Sequence, residues 1–527
     1  MKTKYQNYSY LNKILSMKKI LLSVLLLIGF IAHSQNYGNE WIDYSKTYYK
    51  FKIGVTGLYR ISQPVLASLG IENTPAEHFQ LWRNGEELPI YTSVQTGTFG
   101  ASDYIEFWGE MNDGKPDNIL YRNPDFQLSD KWSLETDTAA FFLTINSSGN
   151  NFRLVPTANN LPSSLPPDPY FIYTVGNYPK TRINSGYAAV VGEYVYSSSY
   201  DQGEGWTASD INKDASQTAT FTSLQPYTGV GAPAPVIKVN ATGNALNPRQ
   251  FEVRLNNNLV GTQTMDFFDY AKASFTVSAA DISGGSASIN IKNISSATGS
   301  DRMAIAKTEL VYARNFHFGG VNNFLFELPA NAAGNYLEIA GFITGGVIPV
   351  MYDLTNGKRY LCNISTPSLV KVLLEPSATD RKLLLVTQHT SYPKQVTVLE
   401  QRSFIDYGLT TNQGDYLIIS HPDLMISTGG GNPIEEYRNY RSSSDGGSHN
   451  AKIYLIDQII EQFGFGIKKN PQALRNFIRW ARNTYSMPIG NVLLIGKGLT
   501  YVQFRLNESK PDIDKLSFIP TFGNPGS

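Results

Sequence analysis

The chain reads as mainly β units of sandwich or jelly-roll type, followed by an α/β unit whose parallel sheet stops partway. Two patterns predict this. Residues 48–400 are a succession of short alternating or apolar runs broken by Asn, Gly, Ser and Pro, which is the signature of antiparallel β-units. Residues 415–496 switch to apolar runs separated by helix-length segments, the signature of βαβ units and a parallel sheet. At 527 residues there is enough chain for roughly three or four domains.

The amino terminus predicts export. Lys18 and Lys19 precede an apolar run over 20–32, and Ala32-His33-Ser34 places small residues at both positions that a signal peptidase reads. Cleavage after Ser34 makes Gln35 the first mature residue, so 1–34 is read as a signal peptide. The run is shorter than the ~20 residues a membrane span needs, which argues against an anchor. Met17 is an alternative start, because residues 1–16 lengthen the leader without adding to it.

Composition excludes some partners. Lys and Arg total 44 and Asp and Glu total 44, with no basic block. Nothing here attracts nucleic acid or an anionic membrane surface. The one cysteine, Cys362, leaves no internal disulfide. It sits in an alternating stretch, Arg359-Tyr-Leu-Cys-Asn-Ile-Ser365, with no histidine nearby, and is read as a small buried apolar residue rather than a nucleophile. Asn293-Ile-Ser295 and Asn363-Ile-Ser365 would be glycan acceptors only on a eukaryotic secretory path.

Taken in order, residues 35–155 form a first β unit with two expected hairpins. One joins 50–53 to 58–61 across Thr56-Gly57. The other joins 79–83 to 86–90 across Asn84-Gly85, a dipeptide suited to the positive φ angles of a type I′ turn. Residues 63–69 are a short helix with Pro64 in its first turn and Gly70 as its stop. Asn112-Asp-Gly-Lys-Pro-Asp117 resembles a calcium loop but lacks the terminal glutamate, so a surface turn is expected. The Pro- and Ser-rich stretch 156–169 marks a boundary. A β-sandwich follows over 156–318, with strands at 251–255, 288–292 and 308–312. A small β unit occupies 319–400, with a turn at Asn356-Gly357.

Residues 401–527 carry the α/β pattern, with apolar runs at 415–420, 452–457 and 491–496 and helices over 434–444 and 470–485. In the second helix Leu474, Phe477, Ile478 and Ala481 share a stripe, with Arg475, Arg479 and Arg482 off it as a solvated face. Asn470 and Pro471 suit its N-cap and first turn. Gly429-Gly-Gly-Asn432 lacks the Lys-Ser/Thr of a phosphate loop and is read as a connection. In such sheets ligands gather at the carboxyl ends of the strands, here Ser420, Asp457 and Gly496.

Several motifs in order carry a resemblance. They are Asp415-Tyr-Leu-Ile-Ile-Ser-His-Pro-Asp423, Ile453-Tyr-Leu-Ile-Asp-Gln458, Phe463-Gly-Phe-Gly-Ile-Lys468 running into Pro471-Gln-Ala-Leu-Arg-Asn-Phe-Ile-Arg-Trp-Ala-Arg482, and Val492-Leu-Leu-Ile-Gly496 with Ile519-Pro-Thr-Phe-Gly523. Upstream, Phe51-Lys-Ile-Gly-Val-Thr-Gly-Leu-Tyr-Arg-Ile61 and Asp103-Tyr-Ile-Glu-Phe-Trp-Gly-Glu110 join them. Together they resemble the gingipain-type cysteine peptidase family, and within it the type IX secretion sortases of the Bacteroidetes.

The resemblance implies a caspase-like fold for 401–527 and an exported cysteine endopeptidase that acts on carboxy-terminal sorting domains of cargo proteins. The implied location is the outer-membrane surface or beyond, with an outer-membrane translocon and lipopolysaccharide as further partners. It implies no metal and no organic cofactor. It also places a histidine after the third strand and the cysteine after the fourth. Here the third strand ends in Gly496-Lys497-Gly498, without a histidine, and the cysteine strand is expected past Ser527. No catalytic residue is therefore assigned, and this stretch alone is expected to be inactive. His421, before Pro422, is read as a strand-end residue hydrogen-bonded locally rather than as a base, and His449 lies in a Gly/Ser turn. Lys497 could instead hold an anionic group at the sheet edge. The rival expectation is a non-catalytic surface or translocon-binding module on a degenerate peptidase fold.

Overall fold

A computed structural model describes residues 36–161, 165–187, 199–297 and 299–522. The first β unit is two sheets face to face. One runs in the order Glu400–Arg402, Tyr48–Ile53, Ala139–Ile145, Phe79–Arg83, Glu86–Leu88, and the other Lys394–Gln395, Gly57–Ser62, Tyr104–Gly109, Tyr91–Thr92. Alternate side chains point into the space between them, so Phe51, Ile53, Ile61, Leu81, Phe107, Phe141 and Leu143 form one core. Asn84 at φ 51° and Gly85 at φ 78° turn the chain between Arg83 and its partner Glu86, as the type I′ reading requires. The helix Gln63–Ala67 starts with a proline in its first turn, and Gly70 beyond it has φ 73°.

The other expected hairpin does not form. Tyr48–Ile53 pairs with Ala139–Ile145, and Gly57–Ser62 pairs with Tyr104–Gly109. The three residues between them carry the chain from one sheet to the other. The cause is burial on both faces of the first strand: Phe51 and Ile53 enter the inter-sheet core, while Tyr48 packs outward with Trp41, Phe142 and Phe404. The reading of 112–117 as a surface turn also fails, because Asn112 and Asp117 are buried. Asn112 Nδ2 donates to the Thr136 carbonyl, while Ser133 Oγ and Leu134 N donate to Asp117. These long-range bonds draw the turn inward.

The sandwich places Ile211–Asn212, Arg302–Arg314, Val236–Gly243 and Tyr270–Thr276 in one sheet, with Phe171–Asn177 pairing with residues 308–314 of Arg302–Arg314 along the edge that Ile211–Asn212 also uses. Its second sheet is Ser216–Phe221, Ala287–Asn293, Gln250–Leu255 and Asn258–Thr264. Ile237, Val239, Phe251, Val253, Ile289 and Ile291 meet between them. The third β region has a sheet in the order Asn323–Leu328, Arg381–Val386, Val350–Asp353, Lys358–Leu361, Val155–Thr157, and a smaller one of His317–Val321, Asn335–Phe342 and Leu369–Leu374.

In the α/β part the strands Ala451–Leu455, Tyr416–Ser420 and Asn491–Leu494 lie side by side, all parallel. The helix Pro471–Thr484 buries Ala473, Leu474, Phe477 and Ala481 and exposes Arg475, Arg479 and Arg482. Asn470 caps it by accepting from Gln472 N. The run at 452–457 needs one correction. Its strand stops at Leu455 and the helix Ile456–Phe463 begins at once, so Asp457 lies in a first helical turn and not on a strand end. Ile456, Ile459 and Phe463, at helical spacing, enter the core under the sheet and fix that switch.

Candidate active-site region

The carboxyl ends of the parallel strands bring together His421, Lys469 and the returning segment around Phe518. Ser420, fully buried, ends the central strand. His421 follows and caps the turn Pro422–Leu424, its Nδ1 accepting from Asp423 N at 3.2 Å. Its ring centroid lies 5.0 Å from that of Phe518. Burial lowers its pKa from the ordinary 6.5, an effect that Asp423 opposes and Lys469 reinforces. The ring is therefore neutral at pH 7, and because Nδ1 accepts, the proton sits on Nε2. The hydrogen bond from Asp423 N is a local partner of the kind expected from the sequence for this residue.

His449 stands at the opposite edge. Its Nδ1 is 3.5 Å from Asp415 Oδ2 and its ring centroid 5.2 Å from that of Tyr416, the first residue of the central strand. Strand direction alone separates it from the carboxyl ends.

Past the third strand, Lys497 has an exposed side chain, and its carbonyl accepts from Phe518 N at 2.8 Å and Ile519 N at 3.2 Å. Residues 499–522 thus leave the sheet edge and come back to it. Gly498 permits the closure, since a Cβ there would lie 2.5 Å from the Ile519 carbonyl oxygen. Thr521 Oγ1 donates to the Leu499 carbonyl at 2.6 Å, and Leu499 N donates to Ser517 Oγ at 3.2 Å. Lys469 Nζ donates to the Ser517 carbonyl, and burial lowers its pKa.

Between its ends this segment carries the helix Tyr501–Arg505, which sequence reasoning missed. The signal was present: Thr500 and Gln503 form a reciprocal capping box. Arg505, almost wholly buried, donates to Asp137 of the first β unit and to Glu508. Asp137 also receives Lys180 from the strip leading into the sandwich.

Cys362 lies elsewhere, in the core of the third β region with Met351, Val370 and Leu383. Burial pushes its thiol up to about 12. Among the described residues no imidazole and thiol come together, no group of His, Cys, Asp and Glu is arranged to hold a metal ion, and no helix is long and apolar enough to cross a membrane. The cleavage position at Ser34 and Gln35 lies outside the described residues.

Residues 409–526 match the family model of Peptidase family C25. Among curated proteins none matches the chain. In structure it is similar to dimeric latent PorU from Porphyromonas gingivalis, with a TM-score of 0.56 and 12% identity over 91% of this chain and 45% of that one. The chain therefore spans less than half the length of that protein. It is also similar to the carboxy-terminal CBM6 of LamC from Zobellia galactanivorans, with a TM-score of 0.16 and 11% identity over 26% of this chain and 98% of that one. The PorU likeness is one of fold, with β-rich units leading into an α/β unit.

Proposed function

We propose that this protein, whose residues 409–526 match Peptidase family C25, is an exported gingipain-type cysteine peptidase that works as a type IX secretion sortase. The observation that supports this best is the match itself, which falls on the three-stranded parallel sheet and the segment returning to its carboxyl edge. In this reading a thiolate attacks the carbonyl before a cargo's carboxy-terminal sorting domain. The C–N bond breaks, the leaving amine takes a proton, and water or an amine of lipopolysaccharide releases the acyl group from the thioester. Cys362 is not that thiolate: a thiol held near 12 is un-ionised at neutral pH, and it lies far from the sheet edge in a closed core. The reading requires a cysteine strand next to Asn491–Leu494 and an imidazole within its reach. Removal of the leader after Ser34, location at the outer-membrane surface, contact with a translocon, and division of the chain near 155, 318 and 400 belong to the same proposal.

One observation favours a second reading, a surface module that binds cargo or translocon without cutting. Where the resembled family carries its histidine, this chain has Gly496-Lys497-Gly498. One experiment separates the two. A host lacking the gene is given a cargo with a carboxy-terminal tag, with and without the complete reading frame restored. Restored loss of the tag, abolished by replacing the cysteine of the strand after the third, supports the peptidase. Cargo that stays tagged yet co-purifies with the protein supports the binding module and overturns the peptidase.

A further inference from the structure

Three carboxyls that the sheet edge does not use are buried where the first β unit, the sandwich and the returning segment meet. Asp117, Glu135 and Glu204 are 1%, 2% and 1% exposed. None of the three forms an ion pair among the described residues; the cations nearby go to Asp201, which Arg122 reaches at 3.1 Å, and to Asp137, which holds Lys180 and Arg505. Asp117 accepts from Ser133 Oγ and Leu134 N. Glu135 Oε1 accepts from Tyr200 OH at 2.7 Å. Glu204 Oε2 accepts from Asp201 N, while its Oε1 is buried with no hydrogen-bond partner.

Tyr200 links this cluster to the segment beyond the third strand. Its backbone sits at φ 56°, a left-handed conformation that an aromatic residue adopts only when its surroundings hold it. Its ring centroid is 5.1 Å from those of both Tyr501 and Phe522. One hydroxyl on Glu135 and one ring against two others thus tie residues 499–522 to the β units.

We propose that Asp117, Glu135 and Glu204 form a proton-operated clasp: protonated, they let the junction close and Tyr200 hold Tyr501 and Phe522, and ionised, they open it and release the returning segment. An ionised carboxyl out of water and without a cation is strongly unfavourable, and separating the surfaces restores its hydration. The surrounding charges do little to offset this. Asp113 and Arg505 act on Asp117, Asp117, Arg505 and Tyr200 on Glu135, and Asp201 and Glu135 on Glu204, with the neutral Tyr121 alongside. Arg505 is the one cation among them, and it is shared with Asp137 and Glu508. Burial accordingly raises Glu135 and Glu204 well above the usual carboxyl range and Asp117 to about 7.

The clasp does not depend on the peptidase reading, and its test needs no catalysis. Amide hydrogen exchange of residues 499–522 in the purified chain is compared at pH 6 and pH 9, after correction for intrinsic exchange. Protection is expected to fall by at least about tenfold in the wild type and to hold in the Asp117→Asn, Glu135→Gln, Glu204→Gln triple variant. Equal protection at both pH values in the wild type, or an equal fall in the variant, overturns the clasp. Because that variant could fail to fold, infrared spectroscopy of the wild type gives a second reading. A carboxylic C=O band present at pH 6 and lost by pH 9 is expected, and its absence at pH 6 overturns the proposal.

Discussion

Lys50 and Glu461, 411 positions apart, form an ion pair whose side chains are only 10% and 5% exposed. Arg402 joins at 3.2 Å from the same carboxylate oxygen. A strand of the first β unit is thereby tied to the helix Ile456–Phe463 under the parallel sheet. Removing the carboxylate leaves a buried ammonium without its partner. Glu461→Ala is expected to destabilise the protein by about 3–5 kcal/mol, read from denaturant unfolding. Lys50→Met, which removes the charge and keeps the volume, is expected to cost less.

Gly85 serves two purposes at once. It supplies the positive φ of the hairpin turn, and a Cβ there would meet Phe465 Cε1 at 2.6 Å. Gly85→Ala is expected to cost on the order of 1–3 kcal/mol, checked by thermal unfolding, from strain in the turn and from displacing the Phe465 ring.

Cys362, with its thiol pushed up to about 12, is expected to resist alkylation at pH 8 in the native protein and to react fully once unfolded. Stoichiometric labelling of the native chain would contradict the buried site.

Asp117 makes stability depend on pH with a definite sign. Its folded pKa is raised from 3.8 to about 7, so between those values the folded state keeps a proton that the unfolded chain has lost. Its contribution is most favourable below about pH 4, declines as pH rises to about 7, and is level above that. The decline amounts to an upper bound on the order of 4 kcal/mol, and urea unfolding at several pH values is expected to show a smaller slope for Asp117→Asn.

Much of the α/β unit was legible because its signals are local. Asn470 and Pro471 open a helix whose apolar stripe must be covered, and Tyr416–Ser420 is apolar up to its last residue because both faces of a central parallel strand are covered. The Asn84-Gly85 hairpin was legible for the same reason. The boundary at Leu455 was not, since Ile456 continues the apolar run and no breaker separates strand from helix.

The family resemblance was also carried by local motifs, and the match over 409–526 agrees with it. Tyr200 and Asp117 gave no such signal. A tyrosine at positive φ and an aspartate without a cation are unremarkable as letters, and their character arises from residues far along the chain.

The sequence by itself determined the Asn84-Gly85 hairpin, the helix opened by Asn470 and Pro471, the parallel α/β pattern of residues 415–496, and the Gly496-Lys497-Gly498 that follows its third apolar run. Those features depend on spacing within some ten to fifteen residues, where periodicity, caps and turn residues act. Only the tertiary structure decided that Tyr48–Ile53 pairs with Ala139–Ile145 and Glu400–Arg402 rather than with its neighbour, and that Asp117 leaves the surface. Strand pairing and burial depend on which distant surfaces exclude water together, and one strand's pattern fits many partners equally well.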